Sequence, residues 1–263
     1  VSKRLFLPVI MVCTGLSLMW HPDFARAAMQ LQIRLAPNVI LMGATYNGTR
    51  LLVSGAIPKD AEAFVRVTGM PEDVHLKKKG RALGILWMNL GSVGVHHAPS
   101  VYLLCPSKAL EAFSKTNQED WHRLGLGFEA LQGSVELTPA SEDKDTLFKE
   151  FVRLKQSKDL YAMYENTISY GSMDGAMRSF SATVWIPSAM PQGVYEVEVF
   201  AIRDGAIVAT GTQEMKVAEV GLPAMLSSMA FDHGTLYGVV AVMIAILAGL
   251  LTGVVFKGGK GAH

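Results

Sequence analysis

Cysteine is scarce: Cys13 and Cys105 are the two in 263 residues, too few for a disulfide framework or a four-cysteine zinc site. Charge is scarce as well. Only 18% of residues are Asp, Glu, Lys or Arg, and 24 basic residues against 23 acidic ones leave a net charge of +1. With no long basic stripe there is no electrostatic footprint for nucleic acid, so none is expected as a partner. CxxC, HExxH, GxSxG, P-loop, GxGxxG and c-type haem attachment motifs do not occur. The familiar thiol, zinc, nucleophile, nucleotide and haem chemistries therefore lack their signatures, and the chain is expected to be non-enzymatic and without a cofactor. What abounds is apolar. Half of the residues are hydrophobic and the mean hydropathy is +0.27, which excludes disorder, and the excess lies at the two ends of the chain.

At the start, Ser2-Lys3-Arg4 precedes an apolar stretch from Leu5 to Trp20, and Ala25-Arg26-Ala27 follows with small residues flanking one position. This is the pattern of a secretory signal peptide over residues 1–27, with cleavage expected after Ala27 and Cys13 discarded. An uncleaved anchor is the alternative, but the stretch is short for a span and Pro8 interrupts it. Val1 in place of Met suggests a GTG start codon and a bacterial source. At the other end, residues 235–256 carry no charge. As a helix rising about 1.5 Å per residue, they can cross a hydrocarbon core of about 30 Å. A buried core helix is the alternative, although soluble helices seldom lack a polar face over six turns. Lys257 and Lys260 follow the stretch while Asp232 and His233 precede it. The positive-inside rule then places tail 257–263 in the cytoplasm and domain 28–234 in the periplasm of a single-pass inner-membrane protein. Ala241, Ala245, Gly249 and Gly253 recur every four residues, forming a face on which another membrane protein, or a second copy of the chain, can pack closely.

Between the ends, Leu31–Leu35, Val39–Tyr46, Thr49–Ile57, Phe64–Gly69, Ala82–Trp87 and Val101–Cys105 are short runs rich in branched and aromatic residues, which predict strands. Asn47-Gly48 predicts a two-residue hairpin between its neighbours. In a second β block, Phe180, Ala182, Val184 and Ile186 alternate with Ser181, Thr183 and Trp185, predicting a strand with one core face that ends at Pro187. Strands 194–202, 206–212 and 215–220 follow, separated by turns. Helices are expected over Lys108–Ser114 and Ser141–Ile168, the latter on a stripe of Leu147, Phe151, Leu154, Tyr161, Tyr164 and Ile168 with Ser141 as cap and Asp143 and Asp145 in its first turn. The fold class is mainly β: an immunoglobulin-like antiparallel sandwich with a helical insertion at about 107–178 and one C-terminal transmembrane helix. Gly193-Val194-Tyr195 is similar to the tyrosine-corner step of that fold.

Gly84-Ile85-Leu86-Trp87-Met88-Asn89, Pro99-Ser100-Val101-Tyr102, Pro191-Gln192-Gly193-Val194-Tyr195 and Leu236-Tyr237-Gly238 together resemble the alphaproteobacterial putative transmembrane protein family over nearly the whole chain after residue 27. The resemblance implies a membrane location. It also implies a transport-linked accessory role beside sulfite-exporter-type permeases, and supplies no catalytic residues. The residues themselves offer two weaker candidates. Lys77-Lys78-Lys79-Gly80-Arg81 could present cations to an anion or to lipid head groups, or form a solvated turn. His96 and His97, in an expected loop over 91–100, could with Cys105 supply ligands suited to copper in a metal or redox-linked accessory protein. Against this, Cys105 on a strand is more commonly a small core residue. The segment 222–231 can lie along a membrane surface or serve as a linker.

Overall fold

The computed structural model describes residues 29–82, 86–116, 118–138 and 144–257. The expected signal peptide with Cys13, the proposed cap Ser141 with Asp143, and the tail beyond Lys257, with Lys260, lie outside the described residues. In chain order, β1 (Met29–Gln30), β2 (Ile33–Ala36), β3 (Val39–Met42), β4 (Thr49–Pro58) and β5 (Glu62–Thr68) lead into two long strands, β6 (Pro71–Ala82) and β7 (Leu86–Pro99). After β8 (Tyr102–Pro106) come α1 (Lys108–Thr116), α2 (Gln118–Leu124), a short 3-10 segment (Phe128–Gly133), β9 (Glu136–Thr138) and α3 (Lys144–Gln156). The chain continues through β10 (Tyr161–Met163), β11 (Ile168–Asp174), β12 (Met177–Ile186), β13 (Gly193–Arg203) and β14 (Ala206–Glu219) to α4 (Leu222–Asp232) and α5 (Gly234–Lys257).

The described strands form three sheets. The largest runs β1-β14-β13-β5-β8-β10, with β3 also pairing along β14. The second runs β11-β12-β4-β2 and the third β6-β7-β9. Most pairs are antiparallel, and the short strands β1, β3 and β10 are the parallel additions. The first two sheets share one continuous core. β4 contributes Leu51, Val53 and Ile57, β12 contributes Phe180, Ala182, Val184 and Ile186, and β13 contributes Tyr195, Val197 and Val199, all buried. The period-two alternation expected of β12 is thus its buried face, with Thr183 and Trp185 outward. The opposite face of the large sheet is also covered, because α1, α2 and the 3-10 segment lie over it. Phe64 of β5 meets Trp121 edge-on at 5.7 Å and Phe200 of β13 at 6.3 Å. Beside them Tyr102, Phe128, Phe151 and Tyr161 pack ring to ring at 5.8–6.2 Å. β8 is therefore buried along its whole length.

Four local expectations are corrected. Asn47-Gly48 does not close a hairpin between β3 and β4: β3 pairs with β14, whereas β4 pairs with β2 and β12. Gly48 does take a left-handed φ of +90°, but a Cβ there would stand 2.5 Å from Trp185, so glycine serves a change of sheet and a close approach. The helix expected to reach Ile168 stops at Gln156. Its buried positions are Phe148, Phe151, Val152 and Lys155, and Leu154 is exposed. Ser157 to Asp159 turn the chain out, with Asp159 at φ +56°, and Tyr161 and Ile168 belong to strands β10 and β11. The insertion at 107–178 is consequently mixed, helices with three short strands. The strands expected at 206–212 and 215–220 are one, β14. Finally, neither Lys77–Arg81 nor His96-His97 is in a loop, since both segments lie within the paired strands β6 and β7.

Candidate functional site

The paired strands β6 and β7 form an arm. Their register runs from Pro71 opposite Pro99 to Ala82 opposite Leu86, and β9 adds only the rungs opposite Gly94, Val95 and His96. Of the described positions in its distal half, Lys77, Met88, Asn89, Gly91 and Ser92 are exposed, whereas Val93, Val95 and Ala98 near the root are buried.

Two devices fix the root. The first is Lys155, buried on the core side of α3. Its ammonium donates to the Glu72 carboxylate and, at 3.1 Å, to the carbonyl of Ser100. It also lies 5.8 Å and 5.6 Å from the ring centres of Phe151 and Tyr161. Glu72 begins β6 and Ser100 follows β7, so one cation ties both strands to α3, and the Tyr161 hydroxyl adds a bond of 2.8 Å to the Pro99 carbonyl. Burial raises the Tyr161 pKa, keeping that hydroxyl protonated as the donor. The second device is a β-bulge. Between the rungs Glu72–Ala98 and Val74–Val95, His96 and His97 oppose the single residue Asp73. Asp73 accepts from the His97 backbone N–H at 3.2 Å and lies 3.2 Å from Nδ1 of His96, while Nε2 of His96 is 2.9 Å from the Thr138 hydroxyl. His97 takes a left-handed φ of +59° within this bulge. The hydrogen bond with His96 holds the Asp73 carboxyl below its usual range.

These contacts place the two histidines in a backbone feature of the arm. Cys105 is elsewhere, on β8 in the core, where burial pushes its thiol pKa up to about 12. Among the described residues no three His, Cys, Asp or Glu side chains are arranged to hold a metal ion. Lys77, Lys78, Lys79 and Arg81 occupy the distal part of β6. Glu72, Asp73 and Lys155, which with Ser100 set the arm, were not singled out by motif. One signal for them existed: a lysine at the fourth place of the stripe Phe148, Phe151, Val152, Lys155 needs a buried partner.

The arm and the C-terminal helices leave the same end of the sandwich. Thr68, the last residue of β5, pairs with Glu196, three residues into β13, and Gly193 at the start of β13 pairs with Val217 near the end of β14. A groove of about 630 Å³ opens there, lined by Met70, Pro71, Pro99, Val194 and Glu214 among others. α4 follows, with Leu222, Met225, Leu226 and Phe231 exposed. α5 then presents a helix from Gly234 to Phe256 that is long and apolar enough to cross a membrane and is not covered by the rest of the chain. On it Ala241, Ala245, Gly249 and Gly253 are all exposed, and a Cβ added at either glycine would meet nothing within 4 Å.

Among the described residues, a mainly β domain is thus joined to one uncovered helix that is long and apolar enough to cross a membrane. The match to a family model makes this specific: residues 30–258 match the family described as "putative transmembrane protein", alphaproteobacterial by name, and the chain belongs to that family. No curated protein and no solved structure matches it.

Proposed function

We propose that this protein is a non-enzymatic accessory subunit of an inner-membrane assembly, in which α5 packs against a partner membrane protein and the β domain stands in the periplasm. The observation that carries this reading is the bare α5 itself, whose small residues at every fourth position leave a groove open to a second helix. In lipid there is little hydrophobic drive between helices, so close backbone approach has to supply the attraction. A permease-type protein is the partner that the family resemblance suggests, and a second copy of the chain is the other candidate. Asp232 and His233 before the span and Lys257 after it support a periplasmic domain.

An immunoglobulin-like reading of the domain accompanies this proposal. The order β11-β12-β4-β2 facing β14-β13-β5 follows the D-E-B-A and G-F-C order of such sandwiches. The Tyr195 hydroxyl also donates to the Pro191 carbonyl, four residues upstream, at 2.6 Å.

Affinity purification of the full-length chain from native membranes in mild detergent should yield a membrane protein, or a second copy, in stoichiometric amount. A chain that emerges alone and monomeric would reject the accessory role. The orientation is tested separately, since protease added to spheroplasts should digest the β domain, and survival until lysis would place it in the cytoplasm.

A further inference from the structure

The charge on the arm is segregated. Glu72 and Asp73 sit at the root, held by Lys155 and by the bulge, whereas from Leu76 to Ala82 and from Leu86 to Ser92 there are four cations and no acidic residue. The apolar residues of the arm's distal end accompany those cations. The register sets Gly80 opposite Met88, Arg81 opposite Trp87 and Ala82 opposite Leu86, and Met88 is 47% exposed. Cations together with Trp, Leu and Met at the end of a projection are the composition that favours a bilayer interface: the charges meet lipid phosphates and the aromatic ring sits at head-group depth.

Geometry brings that end within range of a bilayer. Arm and span leave the same end of the large sheet from β5 and β14, two strands apart, a separation of about 10 Å at ~4.8 Å per strand. The 11 residues of α4 span about 16 Å as a helix, and the 12 residues of β6 reach about 40 Å at ~3.3 Å each. The arm is therefore longer than the connection between the sandwich and the membrane. The exposed Leu222, Met225, Leu226 and Phe231 of α4 make that connection itself suited to an interface.

We propose that the distal end of the β6–β7 arm, a stretch with four cations and no acidic residue in which Lys77 and Met88 are exposed, docks on anionic phospholipid of the bilayer that α5 crosses. The anchored domain is thereby held at two points, which fixes its orientation over the membrane as a single helical tether does not. The inference goes beyond the accessory role and needs only that α5 is inserted, so it stands or falls apart from the identity of any partner.

The test uses the full chain, with Cys13 replaced by serine, in pure lipid vesicles that hold no other protein. A nitroxide is attached at Met88→Cys or, as a control on the outer face of β12, at Thr183→Cys; the buried Cys105 thiol stays unlabelled. In phosphatidylcholine vesicles containing phosphatidylglycerol, the probe at 88 should lose accessibility to an aqueous nickel complex and gain accessibility to oxygen, while the probe at 183 stays aqueous. Lys77→Gln should weaken the docked population about fivefold, the factor for one basic residue near an anionic surface. The quadruple change of Lys77, Lys78, Lys79 and Arg81 to Gln should abolish docking with the spectrum at 183 unchanged. Equal aqueous accessibility at 88 in the presence and absence of phosphatidylglycerol would overturn the proposal. So would a probe at 88 that remains shielded in the quadruple variant.

Discussion

Replacing Glu72 with alanine is expected to destabilise the β domain by about 2–3 kcal/mol, somewhat less than the ~3–5 kcal/mol of breaking a fully buried ion pair because the Glu72 side chain is itself partly exposed. The Lys155 ammonium would remain buried with only the Ser100 carbonyl and two aromatic rings for company. For a domain of this size the thermal midpoint should fall by roughly 5–10 °C. Changing Lys155 to methionine in the same protein should recover most of the loss, since an apolar chain of similar length can lie between Phe151 and Tyr161 without needing a partner. If the double variant is no more stable than Glu72→Ala, the buried charge is not the cause.

The second large effect is expected at Phe64. This residue is fully buried on the outer face of the large sheet, where its ring meets Trp121 and Phe200. Phe64→Ala should cost about 3–5 kcal/mol through lost burial and the cavity left behind. Trp121 reports the change directly, because it loses the Phe64 ring against which it packs and its emission should shift to the red. Phe64→Leu keeps most of the volume and should cost less than about 1.5 kcal/mol. A loss below 1 kcal/mol for Phe64→Ala, measured as a shift in urea midpoint, would show that the helices do not form a second core on that face.

Phe64 also illustrates which parts of the fold are legible in the sequence. A strand buried on both faces reads as a continuous apolar run, and β8 is visible that way, as is β5 apart from Arg66, while β12 is visible from its alternation. The arm escapes the same logic. Val74 and Leu76 pack against the core, but beyond them Lys77 to Ala82 shows neither an apolar run nor a period, and that part of β6 pairs with β7. Asn47-Gly48 signals a two-residue turn, but the hydrogen-bonded turn lies at Gly43 to Tyr46, and a turn residue specifies local φ and not the partner of the next strand: here the chain passes from one sheet to another. Tyr161, Tyr164 and Ile168 extend the helical spacing of α3 by coincidence, and the turn at Ser157 to Asp159 has no proline or glycine to announce it. The uncovered span was the most legible element, because in lipid composition and length are the physics. The root of the arm was the least legible, since it depends on Glu72, Ser100 and Lys155, which meet only through tertiary packing.

The accessory role is tested most directly by repeating the purification from native membranes with Gly249 and Gly253 both changed to leucine. The segment stays apolar and should insert as before, while its groove is filled. The partner, or the second copy, is expected to fall at least about tenfold in yield relative to the tagged chain, the effect of losing ~1.4 kcal/mol of helix contact. Normal yield from a fully inserted variant would contradict the role given to α5, leaving the helix as an anchor and moving recognition to the β domain.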